Sequence, residues 1–295
     1  MVRAQTWQAK LGYGSLFVIL GIISLLCLAP IWYTIAVSLS EKSAAAANAV
    51  TLLPVGFNWS SYEKLLEDQK FFTAFGVSLQ RVALGGLLNF LMTVLMAYPL
   101  SREANKFRSR NVYMWILVFT MLFSAGLIPW YMVIQKLHLL DTMWALVLPG
   151  AVPVFNVILL MNFFRGIPKD LEEAAAMDGA GHLYMLFKIF IPISLPALAT
   201  VTLFSIVGHW NSFFDGLILM NHSNNYPLQT YIQQLVVQIN DMSRMNPDEI
   251  KQIMQISSKT LNAAKIVISM IPILIVYPFL QRFFIHGIVL GSVKE

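Results

Sequence analysis

RGIPKDLEEAAAMDGAGHLYMLFKIFIPISLP, residues 165–196, is the charged, amphipathic, non-spanning segment between two long apolar stretches of this chain. Asp170, with Glu173 three residues on, has the spacing of a helix N-cap and its capping-box partner. Leu171, Ala174, Ala175 and Asp178 recur at i, i+3, i+4 and i+7, which places them on one helix face. Gly179 stands where a C′ residue closes the turn. A second short helical run is expected over 182–190, before Pro192 and Pro196 interrupt it. Helices this short are marginal alone in water and need a surface to dock on. The surface expected here is another protein.

Working outward, the 295 residues are 57% hydrophobic and 12% charged, with a mean hydropathy of +0.66. A soluble domain would carry about a quarter charged residues, so composition indicates a membrane protein whose water-exposed parts are short loops. The formal net charge of +5 is a topology signal. The basic residues form no single patch, and a nucleic-acid partner is not expected. Cys27, the single cysteine, lies in the first apolar run and reads as a small buried hydrophobe.

Apolar runs long enough to cross a bilayer fall at 11–37, 75–100, 112–134, 144–164, 193–220 and 263–284. The expected fold is therefore an all-α integral membrane protein with six transmembrane helices in one domain. The segment 165–192 lies between spans four and five, and larger loops cover 38–74 and 221–262 on the other side. Arg3, Lys10, Arg102, Lys106, Arg108, Arg110, Arg165, Lys169, Lys188, Arg282 and Lys294 share one side in short loops. That side is expected to be cytoplasmic, with both termini in. In the outer loops, Asn58 or Ser60 could cap a short helix, 227–239 looks helical, and Asn246–Pro247–Asp248–Glu249 reads as another helix start. Pro129, Pro149 and Pro153 are expected to kink spans three and four.

No phosphate-binding Gly-x-x-x-x-Gly-Lys-Ser/Thr motif, His-Glu-x-x-His, Cys-x-x-Cys or Gly-x-Ser-x-Gly is present. The chain is therefore expected to be no enzyme and to bind no cofactor or metal itself. In the fifth span, His209 to Asp215 is unusually polar and aromatic. Intramembrane polar residues point to a cavity, and flat aromatic faces can stack on sugar rings. Trp210, Asn211, Phe213, Phe214 and Asp215 are therefore candidates for a substrate path. The competing explanation is helix–helix hydrogen bonding, with Asp215 at the interface; Asn89, Asn156 and Asn162 fit that role too.

Glu173-Ala174-Ala175, three residues, Gly179, nine residues, Ile189, one residue and Ile191-Pro192 resemble the EAA loop of ABC importer permeases. Ile191 replaces the usual Leu. The fifth span's Trp210-Asn211, Pro227-Leu228-Gln229 and the end from Tyr277 to Glu295 are similar to the maltose-permease-type branch of carbohydrate importers. NPDEIKQIM, 246–254, resembles a sub-branch serving alginate- or aldouronate-like acidic oligosaccharides. His286 departs from the Lys common in that tail. The resemblance implies a permease that passes an oligosaccharide across the bacterial inner membrane by alternating access. It implies that Glu173, Ala174, Ala175, Asp178, Gly179, Ile189 and Pro192 couple to a cytoplasmic ATPase. The implied partners are a second homologous permease, two ATPase subunits that hold ATP and Mg, an extracytoplasmic solute-binding protein, the carbohydrate and membrane lipid. The alternative from another class is a stand-alone secondary transporter or channel, which would show paired intramembrane charges. Arg81 and Asp215 are the candidates for such a pair.

Overall fold

A computed structural model of the chain describes residues 7–241 and 259–292. Among the described residues every regular element is helical. The helices are α1 (Trp7–Ser38), α2 (Lys42–Ala46), α3 (Ser60–Leu66), α4 (Gln69–Ser101), α5 (Arg110–Leu122), α6 (Leu127–Lys136), α7 (Met143–Val147) and α8 (Val154–Arg165). They continue as α9 (Lys169–Met177), α10 (His182–Met185), α11 (Ile191–Ile193), α12 (Leu195–Asn211), α13 (Phe214–Leu219), α14 (Leu228–Asp241) and α15 (Lys259–Ser292).

The apolar runs become two kinds of element. Leu11–Ser38, Gln69–Ser101 and Lys259–Pro278 are each long and apolar enough to cross a membrane as one helix. Three further helix pairs are apolar enough only when taken together, each bent at a short break. Arg110–Leu122 meets Leu127–Lys136 at 114°, Met143–Gly150 meets Val154–Arg165 at 44°, and His182–Ile193 meets Leu195–Asn211 at 85°. Span three was expected to kink at Pro129, and the bend falls before that residue. Span three breaks at residues 123–126, where Gly126 adopts φ +85°, a region most side chains avoid. Pro129 lies inside the first turn of α6, where a missing N–H is tolerated. Pro149 sits in a 3₁₀ turn and Pro153 precedes α8, so both lie at the milder bend.

The chain divides into two compact units. The smaller comprises residues 1–69 and 234–270. In it Ala36, Val37, Ala45, Val50 and Ala263 form the buried cluster. Ser61 Oγ donates to Thr260 Oγ1 at 2.9 Å, and Lys265 Nζ pairs with Asp68 Oδ2 at 2.6 Å. Asn58 Oδ1 accepts the Ser60 N–H at 2.7 Å, close to the expected cap of α3. The larger unit, 70–233 and 271–295, carries the site. Its core takes Val94, Ala97 and Leu100 from α4, Leu117 from α5, Val157, Leu160, Met161 and Phe164 from α8, and Ala197, Leu198 and Val201 from α12. Met185, Leu186 and Phe190 insert into the same cluster from the 182–190 segment. The NPDEIKQIM stretch lies outside the described residues.

Candidate functional site

The 165–192 segment folds into two short helices, as its spacing suggests, but with a different start. Pro168 occupies the N-cap position of α9, and no side chain caps it. Asp170 is therefore the second residue of the helix and not its cap, because Pro168 already ends the chain's extended approach. Asp170 and Glu172 put negative charge in the first turn, where it complements the helix dipole. At the other end Gly179 has φ +77°. The Gly179 N–H bonds the Ala176 carbonyl at 3.0 Å and the Ala180 N–H bonds the Ala175 carbonyl at 2.9 Å. These are the paired bonds of a Schellman closure, and Ala175 and Ala180 both pack on the core cluster.

Of the two adjacent glutamates, Glu172 turns inward. Its Oε2 lies 2.6 Å from Arg102 Nη1 and its Oε1 accepts from Lys106 Nζ at 2.9 Å. Burial pushes the Glu172 carboxyl up, but the Lys106 hydrogen bond and the Arg102 charge hold it below the usual carboxylate range. Arg102 is nine-tenths buried, with its guanidinium 4.4 Å from the Tyr98 ring centroid and 4.3 Å from that of Phe190. A second pair, Lys169 with Glu103, joins the same two segments at the surface. Glu173, Ala174, Asp178 and Gly179 are exposed. Beside them Leu171, Met177, Leu183, Tyr184 and Phe187 present apolar side chains to the outside, Met177 being 89% exposed. Sequence reasoning singled out Leu171 but missed the other four. Their spacing around Gly179 and Gly181 held the signal.

Ile189 is half-buried and Pro192 exposed. Pro192 does not interrupt the helical run as expected. A π-turn over Leu186–Phe190 precedes it and the chain stays helical to Ile193. A proline ring clashes with the carbonyl four residues back, and a wider turn relieves that clash. The break falls at Ser194, before Pro196 opens α12.

At the far end of α12 the chain leaves the helix at Ser212 and resumes as α13 at Phe214. This break inside the fifth apolar run exposes backbone that lipid cannot satisfy. Arg81 of α4 reaches it. Arg81 Nη1 donates to the Ser212 carbonyl at 3.3 Å and to Asp215 Oδ1 at 3.1 Å, and Nη2 pairs with Asp215 Oδ2. Asp215 Oδ1 also accepts from Ser212 Oγ at 2.8 Å and from the Gly216 N–H at 2.9 Å. The Arg81 side chain is 3% exposed. The two charges thus meet each other and tie the broken helix to α4.

This pair borders two cavities. One, about 480 Å³, is lined by Arg81, Asp215, Asn89, Asn156, Ser205 and His209 among others. The other, about 880 Å³ and more apolar, opens at the break of span three and shares Trp130, Pro149, Ser212 and Asp215 with the first. Among the substrate-path candidates, Asp215 lines both cavities and Phe214 the larger one. Trp210 is 3% exposed, packs edge-on against Phe75 at 5.6 Å, and lines neither. Asn211 and Phe213 are exposed and also line neither. Asn156 Nδ2 donates to the Val201 carbonyl and to Ser205 Oγ, each at 3.1 Å. The Asn89 amide, oriented by its hydrogen bonding, donates to the carbonyls of Gly150 and Gly85. Both asparagines therefore join helices while edging the cavity.

Beyond span three, Asp141 clamps the turn after α13. Its Oδ1 accepts the N–H groups of Asn221 at 3.0 Å and His222 at 3.2 Å, and its Oδ2 meets His222 Nδ1. Burial pushes this carboxyl up, but these hydrogen bonds and that of Asn225 outweigh it and hold it down at about 2.

Broken apolar spans, a cavity edged by an intramembrane ion pair, and an amphipathic helix pair exposed at one end define a multi-pass membrane transport component. The chain belongs to the family of binding-protein-dependent transport system inner membrane components, which it matches over residues 71–290. It is 37% identical over 275 residues to Protein LplC of Bacillus subtilis, covering 93% of this chain and 92% of that one. It is 38% identical over 279 residues to the polygalacturonan/rhamnogalacturonan transport system permease protein YtcP of Bacillus subtilis, covering 92% and 94%. Among solved structures it resembles a chain of a bacterial ABC transporter involved in the import of the acidic polysaccharide alginate. The TM-score is 0.85 at 35% identity, covering 95% of this chain and 98% of that one. The expected permease role holds, in a family that works with a binding protein. The stand-alone transporter reading gives way despite the Arg81–Asp215 pair, which serves the helix break.

Proposed function

We propose that this permease is half of the translocation pathway of an ATP-driven oligosaccharide importer, and that the outer face of α9 and α10 is its ATPase docking surface. Carrying this reading is one observation. Two short helical segments joined through a Schellman turn expose Leu171, Met177, Leu183, Tyr184 and Phe187 beside Glu173, while Glu172 anchors the first of them to Arg102. An exposed apolar cluster rimmed by charge is what a protein partner covers. The six apolar runs are each one crossing, three of them broken, with the 165–192 segment and both termini in the cytoplasm. A second homologous permease, two ATPases and an extracytoplasmic binding protein complete the machine.

Closure of the ATPases draws on α9 and α10. Glu172–Arg102 passes that motion to α4, and Arg81–Asp215 passes it from α4 to the broken end of span five. A ligand or nucleotide shifts the balance only by binding one state better. An acidic sugar chain is the substrate class in view, supported by the transport named for YtcP and by the alginate transporter. Phe214 and Asp215 remain the residues of this chain on the path, and Arg81 joins them.

Co-purification from detergent after co-expression with the ATPase tests the docking surface. Wild type should retain the ATPase, and a correctly inserted Gly179→Asp, Glu173→Lys double variant should lose it. Normal transport by that variant sinks the proposal.

A further inference from the structure

Arg110 at the start of α5 and Arg165 at the end of α8 converge on one oxygen. Arg110 Nε donates to the Leu100 carbonyl at 3.0 Å, and Arg165 Nη2 donates to the same carbonyl at 3.2 Å. The other contact of Arg165 is the Met161 sulfur at 3.3 Å, a weak acceptor. Among the described residues no carboxylate pairs with either arginine. A neutral carbonyl cannot balance two guanidinium charges held this close.

Both arginines line a cavity of about 290 Å³ together with Arg102, Lys106 and Lys169. Glu103 and Glu172 also line it, but they are committed to Lys169 and to the Arg102–Lys106 pair. Five cations against two carboxylates leave the cavity positive. Arg102, nine-tenths buried, keeps an Nε–H with no partner. Guanidinium forks match a phosphate group in geometry as well as charge.

What surrounds the cavity selects the carrier of that phosphate. Immediately past Arg110, α5 exposes Val112, Tyr113, Ile116 and Phe119, each at least half exposed. Leu100 and Arg165 close the apolar runs of α4 and α8, which puts the cavity at the membrane–water boundary. A free anion gains nothing from an apolar flank, whereas acyl chains do. Basic pockets between spans are where anionic headgroups bind.

We propose that Arg110 and Arg165, backed by Arg102 and Lys106, bind the phosphate of an anionic membrane lipid whose chains lie along α5. The site depends on the chain being a membrane protein and not on ATPase docking.

The test uses the full-length chain in nanodiscs of phosphatidylcholine, titrated with fluorescent phosphatidylglycerol. Wild type should bind it saturably. Arg110→Gln, Arg165→Gln should bind about tenfold or more weakly, the loss expected for removing charge-assisted hydrogen bonds. Arg108→Gln, a change in the same loop outside the cavity, should bind like wild type. Inorganic phosphate should fail to displace the lipid. If it displaces the lipid readily, the site takes free phosphate and the lipid assignment falls. Equal weakening by Arg108→Gln would reduce the effect to loop charge and overturn the site. If the double glutamine variant does not fold, the melting temperature of wild type decides. A rise in phosphatidylglycerol over phosphatidylcholine supports the site, and no rise refutes it.

Discussion

Asp215 holds more of this site together than any other single residue. Its carboxylate receives Arg81, Ser212 and the Gly216 N–H, so one side chain closes the break in span five and neutralises a buried guanidinium. Removing one partner of a buried pair is costly because the other charge stays behind. Asp215→Ala should destabilise the protein by about 3 kcal/mol, read as a lower melting temperature in detergent. The double variant Arg81→Met, Asp215→Leu should recover most of that loss if the pair is structural. Should the double variant regain stability yet stay inactive in transport, the pair also serves the path, as proposed here. At the same scale, adjacent glutamates divide their work. Sequence spacing put both on the first turns of α9 but could not decide which one turns inward, since that depends on how the helix axis lies against α4.

At the level of elements, α4 is clipped at two places. Arg81 grips the span-five break and Arg102, just past its last helical residue, grips α9 through Glu172. Gly85 lets α12 approach α4 between them, since a Cβ there would lie 2.5 Å from the His209 ring. Glu172→Gln should cost about 2 kcal/mol and weaken transport while leaving ATPase co-purification intact. Glu173→Gln should change stability by less than about 0.5 kcal/mol and instead weaken co-purification. Transport kinetics beside pull-down separate the two; identical profiles would refute the division. The pH dependence has a definite sign. Because the folded Glu172 carboxyl is depressed, its contribution is fully present above the unfolded value of about 4.3. It is lost as pH falls through the depressed folded value. The Glu172→Gln variant should therefore lose less stability than wild type over that acid range.

For the whole molecule, the proposed topology puts the α9–α10 segment and the turn after α13 on opposite sides of the membrane. With Cys27→Ser removing the single native cysteine, Asp178→Cys should react with an impermeant thiol reagent only in inside-out vesicles. Ser223→Cys should react only in right-side-out ones. Reaction of both from one side would rule out a single crossing between Asp178 and Ser223. The apolar runs were legible because bilayer thickness sets their length regardless of packing. Their bends were less so. Pro129 drew attention in span three, yet the chain turns at 123–126, where Gly126 takes positive φ. Pro192 looked like a stop but is absorbed by a π-turn.

The amino-acid sequence by itself determined the membrane class, the number of apolar runs, the family and the Gly179 closure of α9. Each depends on composition or local spacing, which the chain carries without reference to its neighbours. Only the tertiary structure decided that Glu172 and not Glu173 turns to Arg102, that Trp210 packs on Phe75 away from the cavities, and that Arg81 finds Asp215 across 134 positions. Those are contacts between distant segments: the ion pairs follow from which buried charge must be balanced where helices meet, and the Trp210–Phe75 contact from which apolar faces pack together.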